Sequence, residues 1–250
     1  MNRGDFKKSP INIAVSFKGI KETVDYPWEF CYDFLEGIYK QRRLFVLSLL
    51  VAVIIGYLIG SFPTAFFLVK WKSNLDIRHH GSGNVGTLNS YEVTNSKVVG
   101  VGVLLLDLAK GILSVLIVRE VVNAEFVTLA VGGVAAVVGH NFPVWLGFKG
   151  GRGLATAAGV MFVVSWICVL LWMAAWLVGK KVSRDVNVGN AAATVVMAAI
   201  AFLLPAGTLA RIIPVNAMPA EFKWFVAALA FVILLRLIQP VKQYIAGLKS

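Results

Sequence analysis

The chain is 250 residues long and 58% hydrophobic, with a mean hydropathy of +0.77 and 15% charged residues against the roughly 25% of soluble domains. Crossing a bilayer takes about 20 apolar residues, and several runs here are that long and nearly free of charge, which excludes an ordinary soluble fold. The formal net charge is +11, but the basic residues sit between the apolar runs, a pattern that fits a membrane protein near anionic lipid or substrate and excludes a nucleic-acid binder.

Residues 1–43 read as a polar extension and residues 44–250 as a multi-pass membrane domain. In the extension, Ile11, Ile13, Val15 and Phe17 alternate with Asn12, Ala14 and Ser16, a strand-like period. Asp25 and Pro27 mark a helix start. Trp28, Tyr32, Leu35 and Tyr39 then share one helix face, expected to pack on the protein rather than on anionic lipid, because Glu29, Asp33 and Glu36 make another face acidic. No cleavable signal peptide is expected, since residues 1–43 lack an apolar core of the required kind. Cys31 and Cys168 suggest no disulfide framework.

The first span is expected over Leu44–Val69, with Gly56, Gly60 and Pro63 inside it, and the second over Val98–Val118, carrying Asp107 and Lys110. The third covers Phe126–Phe148 and contains His140, Asn141 and Pro143. Further spans are expected over Asn190–Ile213 and Phe222–Ile238. Between them lies Leu154–Val178, which as a helix is about 38 Å long, enough for one tilted crossing and not for two.

The basic residues bear on this segment. Lys70, Lys72 and Arg78, then Lys149 and Arg152, then Lys180, Lys181 and Arg184, then Lys242 and Lys249 form four groups. All four lie in the cytoplasm only if residues 154–178 enter and return as a short helical hairpin, breaking near Ser165. The expected class is therefore an all-α integral membrane protein with about seven transmembrane helices and its N-terminus outside. The run Lys40-Gln41-Arg42-Arg43 favours the other arrangement, six plain spans with a cytoplasmic N-terminus.

The loop Gly81-Ser82-Gly83-Asn84-Val85-Gly86 fits the GxGxxG dinucleotide pattern, but that pattern needs a βαβ unit and this copy lies between membrane spans. Its physics still applies: glycines let backbone N–H groups converge on an anion, Ser82, Asn84 and Asn89 add neutral donors, and Arg78 adds charge. A second loop, Lys149-Gly150-Gly151-Arg152-Gly153, stands at the start of a helix and suits a phosphate for the same reason. The bland readings are a tight turn and a basic anchor. Two such loops on one side of a membrane suggest two phosphate-bearing ligands.

Asp107 and Lys110 share a helix face and read equally as a neutralising pair or a polar site. His140 reads more readily as a structural hydrogen-bonder than as a base. No metal-ligand spacing and no nucleophile–base–acid set stands out, so neither a metal nor a cofactor is expected. None of His79, His80 and His140 has an aspartate five residues later, so the HxxxxD acyltransferase pattern is absent.

Taken together, several segments resemble the PlsY-type family of membrane acyltransferases, which make lysophosphatidic acid from acyl phosphate and glycerol 3-phosphate. They are Gly60-Ser61-Phe62-Pro63-Thr64, Asp76-Ile77-Arg78, the Gly81–Gly86 loop with Asn89, Asp107-Leu108-Ala109-Lys110-Gly111, Gly139-His140-Asn141-Phe142-Pro143-Val144 and Gly147–Thr156. The resemblance is strong from Gly60 to about Gly159 and implies seven helices with the N-terminus outside, in a bacterial cell membrane.

It also implies direct attack of the glycerol hydroxyl on the acyl phosphate, with the Ser82 loop holding the acyl phosphate and the Lys149–Gly153 loop the glycerol 3-phosphate. The catalytic candidates are Ser82, Asn84 and Arg152. The substrate-binding candidates are Arg78, Gly81, Gly83, Gly86, Asn89, Lys110, His140, Asn141, Lys149, Gly150, Gly151 and Gly153. Membrane lipid is a further expected partner, and residues 1–43 are a candidate contact for another protein.

The sequence departs from the family pattern at four places. Glu92 stands where a basic residue is usual, and Arg152 where lysine is usual. Asn187-Val188-Gly189-Asn190 replaces a hydroxyl-bearing segment, and Leu237-Ile238-Gln239-Pro240 stands in place of HRxNIxRL. These changes leave a second reading open, a member that has lost catalysis and binds a lipid phosphate or a partner protein.

Overall fold

The computed structural model describes residues 11–17, 20–26, 28–213 and 217–248. Pro27, part of the expected helix start, and Lys249, one of the C-terminal charges, lie outside them, as does the side chain of Trp28. The chain forms two units, residues 1–48 and 49–250.

In the first unit, strands β1 (Ile11–Phe17) and β2 (Ile20–Tyr26) pair antiparallel, in register from Ile11 opposite Tyr26 to Phe17 opposite Ile20. The alternation in β1 is legible in the sequence. That of β2 is blurred because Glu22 interrupts the set Ile20, Val24 and Tyr26. Helix α1 (Trp28–Gly60) follows and is continuous, so the amphipathic helix and the first span are one element, about 50 Å long. Leu35 and Tyr39, on the face expected to pack, are 64% and 70% exposed.

Among the described residues of the second unit there are only helices. Helix α1 ends at Gly60, nine residues before Val69, the expected end of the first span. Pro63 lacks an N–H and restricts Phe62, so the chain breaks at Ser61–Pro63 and restarts as α2 (Thr64–Ser73). After a loop come α3 (Thr87–Thr94), α4 (Lys97–Val121) and α5 (Phe126–Asn141). The chain continues with α6 (Leu154–Ser183), α7 (Val186–Leu203), the short α8 (Ala206–Ile212) and α9 (Pro219–Gly247). Among the described residues, six stretches are long and apolar enough to cross a membrane: Tyr32–Ser73, Lys97–Val121, Phe126–Leu146, Leu154–Ser183, Val186–Leu203 and Pro219–Gly247.

The fourth of these does not run straight. Ser165 leaves helical geometry (φ −161°, ψ 94°). Arg152, before α6, hydrogen-bonds Asn187, beyond its end, whereas the 30 residues of α6 would span about 45 Å if straight. Leu154 and Trp176, 22 positions apart, line one cavity. The helix therefore doubles back at Ser165, as the length and charge arguments require.

The first arm lies close on α4. A Cβ on Gly111 would stand 2.1 Å from the Thr156 carbonyl oxygen, and one on Gly159 2.1 Å from that of Leu108. This is the small-residue contact typical of packed membrane helices. Folding α6 back gathers the loops at one end of the bundle. Arg78 reaches the Leu146 carbonyl, Arg152 reaches Asn187, and the Tyr244 hydroxyl donates to the Ser183 carbonyl.

Candidate active site

The first glycine loop is shaped from within. Asn89 on α3 is 1% exposed, and its amide donates to the carbonyls of Ile77, His80 and Asn84 at 3.4, 3.1 and 3.0 Å. Its own oxygen accepts the Ser82 N–H at 2.9 Å. Gly81 (φ +59°) and Gly83 (φ +69°) take left-handed turns that this closure demands. Asn89 is thus a strut of the loop and not a free phosphate donor, contrary to its expected role. Arg78 is likewise engaged: it chelates Asp76 at 2.6 to 3.2 Å and reaches Leu146 at 3.3 Å. The Arg78 hydrogen bond holds the Asp76 carboxyl down at about 2, and the pair raises Arg78 in turn.

The second loop is packed against the first. A Cβ on Gly151 would stand 2.0 Å from His140 Nε2 and 2.6 Å from the Val85 carbonyl oxygen, so only glycine allows this approach. Gly151 also donates its N–H to the His140 carbonyl at 3.1 Å. Gly150 and Gly151 are buried, Lys149 is exposed, and Gly153 (φ +79°) turns the chain into α6. Arg236 on α9 reaches across to this loop: Nε donates to the Gly151 carbonyl at 3.0 Å and Nη2 to that of Gly150 at 2.8 Å. Its guanidinium lies 5.4 Å from the centre of the Phe142 ring.

A cavity of about 630 Å³ opens between the two loops. Its polar wall holds Asn84, Thr87, Lys97, Asp107, His140, Arg152 and Asn190. Val101, Leu104, Leu154, Ala155, Ala158, Trp172, Met173 and Trp176 make the rest of the lining largely apolar. The starts of α3 (Gly86, Thr87, Leu88) and α6 (Gly153, Leu154, Ala155) both border it, and helix starts carry unpaired N–H groups and a positive dipole end. Arg152 is held by Asn187 at 2.5 Å. Burial, then the Arg236 charge, pulls Arg152 below the ordinary arginine value, and Asp185 and Glu92 push it back up.

Of the expected site residues, the cavity therefore gathers Asn84, Gly86, His140, Arg152 and Gly153. Ser82 is exposed and does not line it. Lys110 is buried in a pair with Asp107 at 2.9 Å and donates to the Phe62 carbonyl, and Thr64 donates to the same aspartate at 2.5 Å. Asn141 ties α5 to α9 through the Val232 carbonyl at 3.2 Å. Lys110 thus stands behind the cavity wall on Asp107, which compensates its burial, whereas the Asn141 amide oxygen is buried without a hydrogen-bond partner among the described residues.

Asn187, Asn190 and Arg236 were not named as site residues. The first two lie in the segment read only as a departure. Arg236 was legible as a lone charge inside an apolar run, which in a membrane helix marks a functional position by default.

The sequence model of the family described as glycerol-3-phosphate acyltransferase matches residues 50–247. The chain is 43% identical over 141 residues to the glycerol-3-phosphate acyltransferase of Desulforamulus reducens, covering 56% of this chain and 70% of that one. Among solved structures it is similar to PlsY (YgiH), an integral membrane glycerol 3-phosphate acyltransferase. The glycerol 3-phosphate form aligns with a TM-score of 0.68 at 32% identity, and the lysophosphatidic acid form with 0.66 at 30%. Each alignment covers 80% of this chain and 93% of the other.

Proposed function

The chain belongs to the glycerol-3-phosphate acyltransferase family, and on that premise we propose that it carries a fatty acyl group from acyl phosphate to glycerol 3-phosphate at the cavity between its two glycine loops. It is an integral membrane acyltransferase of phospholipid biosynthesis, and the product is lysophosphatidic acid. One observation carries the assignment of the site. A single cavity joins two helix starts and Arg152 to a long apolar wall, which matches ligands that end in phosphate and carry a fatty chain.

In this reading the glycerol hydroxyl attacks the acyl carbon, the new ester C–O bond forms, and the acyl–phosphate C–O bond breaks. Phosphate leaves with the electron pair and takes up the hydroxyl proton. Among the described residues, the cavity lining holds no serine or cysteine. The protein's part is to hold both substrates in line and to stabilise charge on the phosphates. Asn84, Arg152 and the α6 start do this from the wall, Ser82 from the exposed rim, and Asn89 and Arg78 by keeping the first loop in shape.

The four basic groups support placing the glycine loops in the cytoplasm. Residues 1–43 are proposed as a contact for a partner protein, on the strength of their paired strands.

The test is the purified protein with acyl phosphate and glycerol 3-phosphate, scored for lysophosphatidic acid and inorganic phosphate. Product at rates above the protein-free control supports the assignment. Binding of glycerol 3-phosphate without product identifies a member that has lost catalysis.

A further inference from the structure

Arg236 sits in the middle of α9, beside the segment that departs from the family pattern, and two of its guanidinium nitrogens are committed to the second glycine loop. The consequence lies in the peptide planes it holds. A trans peptide places the N–H opposite to the C=O of the same plane. The Gly151 carbonyl points at Arg236, so the Arg152 N–H points away from it. Among the described residues, that N–H and the Gly153 N–H find no backbone acceptor. They lead directly into the unpaired N–H groups of the α6 start, which borders the cavity together with Arg152 and Gly153.

Resting on the reading that the cavity takes phosphate-bearing substrates, we propose that Arg236 is a positioning residue of the glycerol 3-phosphate subsite. It turns the Arg152 N–H toward the substrate phosphate, beside that of Gly153, and fixes the point from which the Arg152 side chain extends.

Other features fit this role. The two carbonyls would repel a phosphate if they swung toward the cavity, and Arg236 holds them on the opposite side. Arg236 is half-buried, and its charge acts on Arg152. Two like charges kept together in a partly desolvated place repel one another until an anion arrives between or beside them. Glu92 and Asp185 offset part of that charge. The planar fork also matters, because a lysine ammonium is a single point and cannot hold two carbonyls in fixed directions.

The experiment uses the full chain in detergent, with Arg236→Lys, Arg236→Gln and Phe142→Leu, the last removing the ring on which the guanidinium lies. For each, KM and kcat are measured for both substrates, binding of glycerol 3-phosphate and of inorganic phosphate by calorimetry, and the melting temperature. The expected result for Arg236→Gln is a glycerol 3-phosphate KM raised about ten- to a hundredfold. Its acyl phosphate KM should change less than about twofold, with calorimetric affinity falling in step with the KM for the acceptor. Arg236→Lys should recover only part of the loss, and Phe142→Leu should show a smaller effect of the same kind.

Full recovery in Arg236→Lys would mean that only the charge matters and would overturn the positioning role. So would a lowered melting temperature with both KM values unchanged. If both Arg236 variants fail to fold, an unchanged acceptor KM in Phe142→Leu overturns it. Wild-type protein that binds glycerol 3-phosphate but forms no product would refute the proposed activity and leave the calorimetric comparison to decide the role of Arg236. Wild-type protein that turns over while the variants keep its acceptor KM refutes this inference alone.

Discussion

Arg152 and Asn187 meet at 2.5 Å although all of α6 lies between them, so the fold-back at Ser165 is what completes the cavity wall. An arginine held by a neighbour keeps its fork aimed, whereas a released one samples many rotamers. Asn187→Ala should therefore lower kcat/KM by about tenfold, and Arg152→Ala by about a hundredfold or more, with both readable from lysophosphatidic acid formation. An Arg152→Ala rate within about twofold of wild type would remove Arg152 from the site.

The second loop's first job is different from the one its composition suggests. Gly151 is glycine because His140 and Val85 occupy the space of a side chain. Gly151→Ala should therefore force the two glycine loops apart and cost both activity and stability. Core overpacking typically costs about 1–3 kcal/mol, measured as a loss of melting temperature in detergent. An alanine variant with wild-type melting and turnover would contradict the close approach.

Much of the fold was legible. The hairpin in α6 follows from a length too short for two crossings and too well flanked by basic residues for one. The break at Ser61–Pro63 was missed because proline is tolerated inside membrane helices, and nothing local says whether a given one kinks or ends its helix. The loops were found by composition, but composition does not separate a donor that faces a ligand from one that braces its own loop. Asn89 is of the second kind, and its partners are backbone carbonyls that carry no sequence signal. Arg236 acts on carbonyls too, from 85 residues away, so its lone charge marks a position without telling what it touches.

The Asp76–Arg78 pair gives a pH dependence with a definite sign. The folded pKa of Asp76 lies near 2, below the ordinary 3.8, so its stabilisation is present in full above about pH 4 and is lost as pH falls through about 2. The pair is 27–30% exposed, and after screening it contributes about 1 kcal/mol. Asp76→Asn should lower the melting temperature at pH 7 and make a much smaller difference at pH 2. An equal deficit at both pH values would show that the pairing is not the cause.

Inside the bundle, Asp107 and Lys110 compensate each other's burial. Removing one partner leaves an uncompensated charge, at a typical cost of about 3–5 kcal/mol, whereas replacing both by apolar groups is often close to neutral. Asp107→Leu should thus melt well below wild type, and the double variant Asp107→Leu/Lys110→Met should regain most of the loss. A double variant no better than the single one would show that Thr64 and His140, which also face Asp107, matter more than the lysine.

The arrangement of loops yields a test of sidedness. Ser82 and Lys149 are both exposed and belong to the face where the loops gather. In a cysteine-free background, Ser82→Cys and Lys149→Cys should resist a membrane-impermeant maleimide added outside intact cells and react after permeabilisation. Labelling of either from outside would place the glycine loops on the opposite face and remove the positive-inside argument.

Glu92 is the departure whose effect is most open to measurement. Its charge acts on Arg152, so the carboxylate offsets part of the cation that an incoming phosphate would meet. It is exposed, and its influence should therefore be screened by salt. Glu92→Gln should lower the glycerol 3-phosphate KM by about two- to fivefold at low ionic strength, and Glu92→Arg should lower it further. Both effects should shrink toward wild type at about 0.5 M salt, where screening acts over only a few ångströms. The acyl phosphate KM, set at the other loop, should move less. If Glu92→Arg instead raises the acceptor KM, the carboxylate has become a support for Arg152, in the way Asn187 is, and the charge has been built into the working site.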